Sequence, residues 1–578
     1  MHRMPRTLIG SFAVSLGLIA AAQTPAAAPR LTAGEAVKAA HAMVASNSAL
    51  ASAAGVEILK AGGNAVDAAV AVGFAMAVTF PEAGNIGGGG FMVIRMADGR
   101  TAALDYREVA PAAATREMFM DSASVASRAS IIGARASGVP GSVAGLTTAH
   151  AEFGRLPLAR VMAPAIRLAE KGFIVDSAFA HSIVAESALI GRFGGAKLLM
   201  PGGKPLAAGQ KLVQPALART LKAIAAHGAR GFYEGEVGKA IADAQKKDGG
   251  LITLADLKAY HPAWRDALTG TYRGYTLISM PPPSSGGVTT IEALNVLETF
   301  GPLPPVRGTM ETHLLAEALR RAFVDRNALL GDPDFSPLPI PQLISKAYAR
   351  SLAATISKDS ATPTADAERQ SPAGAVRAPE GVNTTHYSVV DAKGNAVATT
   401  TTLNDTYGSG VYVAAAGFFL NDQMDDFATR PGQPNGYGLV QGERNAVAPG
   451  KRMLSAMAPT IVLDSANHVA LIIGARGGPR IITSVLQVLI GVIDYKLPLL
   501  EAMNAPRIHE QARPDSIRYE AGALAQPVVD SLTAMGHHVE ISTFGGDGFI
   551  GRVVAIERTK DGWVGVVDRR SSGAAAGY

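Results

Sequence analysis

Asn383-Thr384-Thr385-His386-Tyr387-Ser388-Val389-Val390-Asp391 joins two unlike stretches of chain. Upstream, Ser357 to Asn383 is rich in Ala, Pro, Ser, Thr and charge, has no apolar period, and reads as an exposed, flexible connection. Downstream, Thr385 to Val390 is a short β-prone run, Asp391 to Asn395 a turn, and Ala396 to Leu403 a second strand, which together predict a hairpin. A threonine at this junction has a chemical use. A hydroxyl is a weak nucleophile that needs a base, and a threonine at a chain start carries one in its own α-amine, neutral near physiological pH. Thr384 gains that amine only if the backbone is cut before it. Its hydroxyl can attack the preceding carbonyl, giving an ester that water opens. Taken alone, a Thr-Thr pair opening a strand reads as β-propensity, so the surroundings decide.

Outward from the hairpin, Val37 to Lys60 and Gly63 to Thr79 are alanine-rich with apolar residues three and four apart, and predict helices. Leu156 to Lys171 and Pro215 to His227 do the same, the second with proline at its first position, where the missing N–H costs nothing. Gly87-Gly88-Gly89-Gly90 breaks the chain before a strand, Phe91 to Arg95. Met280-Pro281-Pro282-Pro283 continues neither helix nor central strand, and introduces Ser284-Ser285-Gly286-Gly287 and a new helix. His468 to Ile473 predicts a buried strand, Gly474 to Gly478 a glycine-rich loop, and Ile481 onward a helix. Periodicity thus says mixed α and β, without internal repeats. The 578 residues set a soft expectation of roughly three to five domains.

Composition narrows the function classes. With 48% hydrophobic and 17% charged residues the chain is that of a folded soluble protein, and its 63 glycines and 34 prolines follow no repeat period. Aromatics at 6% are lean for a base-stacking surface, and the basic residues behind the net charge of +5 are scattered, so no nucleic-acid partner is expected. The absence of cysteine excludes disulfides, a cysteine nucleophile, thiolate metal sites and a lipidated leader. Arg3 and Arg6 precede a mostly apolar run, Leu8 to Ala22, which reads as a secretory signal over residues 1–22, with a second possible cleavage site after Ala28. A bilayer span needs about 20 apolar residues, and glycine, serine and Pro25 interrupt this one. A periplasmic or secreted protein, off the membrane once the signal is removed, is the expectation. Gly546-Asp547-Gly548-Phe549-Ile550-Gly551 has dinucleotide-fingerprint spacing but precedes a strand-like run, Val553 to Glu557, instead of opening a helix. His537-His538 and His509-Glu510 lack metal-ligand spacing. No cofactor or metal is expected.

The stretch from Asn383 to Asp391 resembles the small-subunit start of γ-glutamyltranspeptidases, and the resemblance runs through nearly the whole mature chain. It includes Gly62 to Val72, Gly84 to Phe91, Asp105-Tyr106-Arg107-Glu108, Met280 to Gly287, Asn421 to Phe427 and Asn504-Ala505-Pro506-Arg507. The resemblance implies cleavage between Asn383 and Thr384, with Thr384 the nucleophile and Thr402 the threonine that orients it. It implies that Asn404, Gln423 and Asp426 hold the donor's α-amino end, a carboxylate facing an ammonium. Arg107 and Ser455 would bind the α-carboxylate, for which a planar guanidinium is suited. Gly477 and Gly478 would form the oxyanion hole, in agreement with two successive glycine N–H groups just before a helix. Tyr437, in the loop Pro431 to Gly442, matches a lid found in many bacterial members.

Two positions depart from the family pattern. Ala456 stands where a second serine is usual, which removes a hydroxyl donor to a charged group; such a loss costs roughly 1.5–3 kcal/mol. Arg476 precedes the glycine pair where a small residue or proline is common, and either favours an anionic donor or faces solvent. The implied fold is α+β, the Ntn-hydrolase four-layer αββα sandwich. The implied organisation is a large subunit, 23–383, and a small subunit, 384–578, intertwined as one αβ heterodimer. The implied activity is transfer of the γ-glutamyl group of glutathione and related compounds to water or to amino-acid and peptide acceptors. Alternatives are a glutaryl or cephalosporin-type acylase of the same fold, which Ala456 favours and Gln423 with Asp426 disfavours, and a non-catalytic periplasmic binding paralogue.

Overall fold

Alternation along the strands sets the layers. A computed structural model describes residues 34–369, 384–435 and 438–578; the leader, Asn383 and Tyr437 lie outside them. The main strands are β1 (Ala36–Ala39), β2 (Met43–Ser46), β3 (Gly89–Arg95), β4 (Thr101–Tyr106), β5 (Ala263–Arg265), β6 (Leu268–Tyr272) and β7 (Tyr275–Ser279). They continue with β8 (Thr385–Val390), β9 (Ala396–Thr402), β10 (Thr460–Leu463), β11 (Val469–Arg476), β12 (Arg552–Thr559), β13 (Gly562–Val567) and β14 (Ala574–Gly577). They make two seven-stranded sheets, ordered β14-β2-β8-β9-β3-β4-β5 and β1-β13-β12-β11-β10-β7-β6.

In the first sheet Val44, Met92, Ile94, Leu104, Val389 and Val397 enter one apolar core with the helices Ala49–Lys60, Ala65–Thr79 and Leu158–Lys171. Their neighbours Met43, Ala45, Phe91, Val93, Ala103, Val390 and Ala396 point the other way, into a second core with Ile461, Leu471 and Ile473 of the other sheet. This is the period-2 signature of a sheet buried on both faces. Beyond the second sheet lie the helices Gly286–Glu298, Thr309–Leu329 and Arg480–Ile493. Helices, sheet, sheet, helices make the αββα sandwich of the Ntn hydrolases, as expected.

The hairpin Thr385–Val390 and Ala396–Thr402 forms as read, with Thr385 opposite Thr401, and sits at the middle of its sheet. Ala65–Thr79 is helical as read and buried along its whole length, capped by a reciprocal pair: Asn64 accepts from the Asp67 N–H while Asp67 accepts from the Asn64 N–H.

Four expectations change. Val37 to Lys60 is not one helix: β1 and β2 precede the helix Ala49–Lys60, because each alanine-rich strand is held by a partner from the far C-terminus, β13 and β14. Gly474 and Ala475 are not loop but belong to β11, which runs to Arg476. Within the connection before Thr384, Thr364–Arg369 is a helix tied down by Thr364 donating to the Ala512 carbonyl at 3.0 Å and by Arg513 pairing with Glu368 at 2.5 Å. Residues 370–383 lie outside the described residues. Nor does the length divide into several domains, since both sheets interleave early and late segments of the chain. No helix among the described residues is long and apolar enough to cross a membrane.

Candidate active site

Thr384 immediately precedes β8 and Thr402 ends β9, so the register that pairs Thr385 with Thr401 sets the two side by side. Both are buried, and both line one cavity with Arg326, Asn404, Gln423, Asp426 and Ser455. Ala456, Gly478 and Pro479 also line it, with Leu439 and Met457 as further apolar wall. The chain reaches this point through the four glycines 87–90, which are required by close approach: a Cβ on Gly88 would strike the Thr402 carbonyl, and one on Gly89 the Glu108 carboxyl.

The groups read as donor ligands come together. Arg107 is fully buried, donates from Nε to the Met453 carbonyl at 3.3 Å, and pairs through Nη2 with Asp426. Gln423 donates to the same Asp426 oxygen at 2.7 Å, while its own Oε1 is buried without a hydrogen-bond partner among the described residues. A carboxylate beside an unsatisfied amide oxygen is an acceptor set for an ammonium, and an arginine beside it suits a carboxylate. Without a donor, Arg107 and Asp426 neutralise one another. Asn404 holds φ 83°, a left-handed backbone that asparagine tolerates. Its N–H donates to Thr402 Oγ1 at 2.8 Å and its Nδ2 to the Asp422 carbonyl at 3.2 Å, which ties the donor end to the threonine pair.

Ser455 is set by the proline-serine segment. Its N–H donates to the Pro283 carbonyl at 2.8 Å, its carbonyl accepts from the Ser285 N–H at 2.7 Å, and its Oγ accepts from the Met457 N–H at 3.1 Å. The hydroxyl hydrogen is thereby aimed away from Met457. Gly477 and Gly478 adopt φ 129° and 57°, conformations glycine supports, and neither N–H donates a hydrogen bond among the described residues. The helix Arg480–Ile493 follows at once, adding the partial positive charge of its N-terminus. Of the two glycines, Gly478 lines the cavity. Arg476 is half-buried, packed against Phe80 at 5.6 Å from the ring centroid, with Glu82 at 3.4 Å.

His386, two residues beyond Thr384, is no base for it. Its ring lies between the sheets against Gly474, bonded to Thr400 and Ser388, and burial pulls its pKa down to about 3. Sequence reasoning missed two ionisable groups. Arg326, from the helix Thr309–Leu329, lines the cavity. Glu108 lies 3.7 Å from Arg107 Nη1 with both carboxyl oxygens unbonded among the described residues, and burial raises its pKa to about 8. Spacing also missed His313, Glu317 and His537, which meet in space; however, the two imidazoles share a 2.7 Å hydrogen bond and Glu317 is held by Arg320 and Arg321. Tyr437 lies outside the described residues, while Leu439 of the same loop reaches the cavity wall.

A sequence profile described as Gamma-glutamyltranspeptidase matches residues 51–578. The chain belongs to the γ-glutamyltranspeptidase family. It is an enzyme of that family, 47% identical over 509 residues to the glutathione hydrolase proenzyme of Escherichia coli (strain K12), with 87% of each chain covered. It is also 40% identical to the Acylase ACY 1 proenzyme of Pseudomonas sp. (strain SE83), over 86% of this chain and 87% of that one. Among solved structures it is similar to the cephalosporin acylase from Bacillus halodurans, with a TM-score of 0.81, 27% identity, and coverage of 96% of this chain and 99% of the other. Two of these relatives are named as proenzymes.

Proposed function

We propose that this enzyme cleaves the γ-glutamyl amide of glutathione and related γ-glutamyl compounds through an acyl group carried on Thr384. The observation that carries the reading is the shared cavity: Thr384, Thr402, the ammonium acceptors Gln423 and Asp426, and Gly478 just before the following helix all line it. Maturation comes first. Thr384 Oγ attacks the Asn383 carbonyl, the C–N bond breaks to free the Thr384 amine and leave an ester on Oγ, and water hydrolyses that ester to the Thr384 hydroxyl and an Asn383 carboxylate. That amine then takes the hydroxyl proton as Thr384 attacks the γ-carbonyl of the donor. The N–H groups of Gly477 and Gly478 receive the oxyanion, a contribution worth about 10²–10³ in rate per donor lost in comparable sites. The leaving amine departs with a proton, and water or the amine of an amino acid or peptide takes the acyl group. The leader supports a periplasmic or secreted location, and the cut supports an αβ heterodimer of 23–383 and 384–578.

A second reading, a glutaryl or cephalosporin-type acylase, is favoured by Ala456 and by the acylase relatives. Against it stands the ammonium set, which a glutaryl group leaves idle. Intact mass with N-terminal sequencing, followed by kcat/KM on γ-glutamyl- and glutaryl-p-nitroanilide, tests both. Two fragments, the smaller starting at Thr384, with the γ-glutamyl donor preferred, is the expected result. A preference for glutaryl selects the acylase. A chain that stays uncut and inactive overturns the nucleophile and selects the binding paralogue.

A further inference from the structure

Arg326 is 1% exposed, yet it lines the cavity with Thr384, Asp426, Ser455 and Ala456. Its Nε donates to Ser285 Oγ at 3.0 Å, and that hydroxyl donates in turn to the Ser455 carbonyl at 2.5 Å. Its Nη1 donates to Asn327 Oδ1 at 2.8 Å. Among the described residues its Nη2 has no hydrogen-bond partner, and no carboxylate lies within ion-pair distance of the guanidinium. The carboxylate whose field it feels, Asp426, is already paired with Arg107. A buried cation without a bonded anion is costly to maintain, because desolvation is not offset by a partner. The arginine fork presents donors that match a carboxylate. Asp426, which pairs with Arg107, lines the cavity together with Arg326, so two guanidinium groups stand around its one carboxylate.

We propose that Arg326 is a substrate-binding residue for the free carboxylate of the acyl donor, acting with Ser455 and supplying the grip that the missing hydroxyl at Ala456 does not. The inference rests on the γ-glutamyl reading above and names a residue within that site. Its connection through Ser285 to Ser455 sets the two carboxylate donors against one another on a common scaffold. An anchor of this kind acts on the carboxylate whether or not an α-amine is present, so glutaryl donors keep it.

The test uses the mature enzyme and Arg326→Gln on γ-glutamyl-p-nitroanilide and on its α-carboxamide analogue, read as kcat/KM or, where there is no turnover, as a competitive Ki. The ratio favouring the free carboxylate should fall roughly ten- to a hundredfold in Arg326→Gln, the loss of a hydrogen bond to a charged group. A purely structural role lowers both donors in parallel, leaves the ratio at the wild-type value, and overturns the proposal. If Arg326→Gln does not accumulate as folded protein, Arg326→Lys keeps the charge but not the fork, and the ratio should fall several-fold. Thermal shift with L-glutamine against glutamic diamide reads the same discrimination without turnover. Wild type that fails on γ-glutamyl-p-nitroanilide yet discriminates these two, with the discrimination lost in Arg326→Gln, would sink the functional reading and leave Arg326 standing.

Discussion

Glu108 shows how burial alters one residue at the edge of the site. Its carboxyl is buried without hydrogen bonds among the described residues, and desolvation outweighs the neighbouring Arg107, so it keeps its proton to about pH 8. Below the ordinary glutamate value of 4.5 the folded and unfolded chains both carry that proton. Above about 8 both have lost it. Between these limits only the folded chain binds it, so this group's contribution to stability is present at low pH and is lost as pH rises through the window. Glu108→Gln removes the ionisation. Its Tm relative to wild type should therefore rise between pH 6 and pH 9, followed by thermal melts in matched buffers; a difference that stays flat or falls would refute the assignment. The same residue was silent in sequence, since Arg107-Glu108 reads as a surface ion pair until the fold buries both.

At the scale of elements, the helix Ala65–Thr79 depends on its first turn. Asn64 accepts from the Val66 and Asp67 N–H groups at 3.0 Å each, and its Nδ2 donates to the Phe153 carbonyl at 2.6 Å. Asn64→Ala removes the cap, which costs about 1 kcal/mol. Urea unfolding should show a lower midpoint at unchanged slope, while cleavage before Thr384 proceeds, because the cap lies at the end of the helix remote in sequence from the glycine run. The elements that were legible beforehand are those with a strong local signature: the β8–β9 hairpin with its Asp-Ala-Lys-Gly-Asn turn, and the helix Pro215–His227 with proline at its start. β1 and β2 were not legible. Four residues of Ala, Val, Lys, Met and Ser carry no period long enough to decide, and the pairing that makes them strands comes from residues 562–577.

For the whole molecule, a cut before Thr384 divides both sheets without separating them. The first sheet would hold β14, β8 and β9 from the small piece among β2, β3, β4 and β5 from the large one. The second would hold β10 to β13 from the small piece between β1 and β6-β7 from the large one. Separating the pieces would break ladders in both sheets and expose the core between them, so they should elute together at the mass of the uncut chain on size exclusion. They should come apart only in denaturant, in step with loss of secondary structure. Co-elution failing under native conditions would contradict this interleaving.

The chemistry proposed for Thr384 could be read from sequence because its signal is local. A nucleophile, its strand, the glycine pair before a helix and the acid-amide run near Asp426 each fit in a few consecutive residues, and their order matches a known family. Burial and charge balance were not local. Arg107 and Asp426 are 319 positions apart, and Arg326 reaches the cavity from the last turn of a helix whose charged residues are buried on every side. Whether a charged side chain is solvated or held in a dry cavity depends on which segments fold over it, and that is a property of the packed layers, not of its neighbours in the chain.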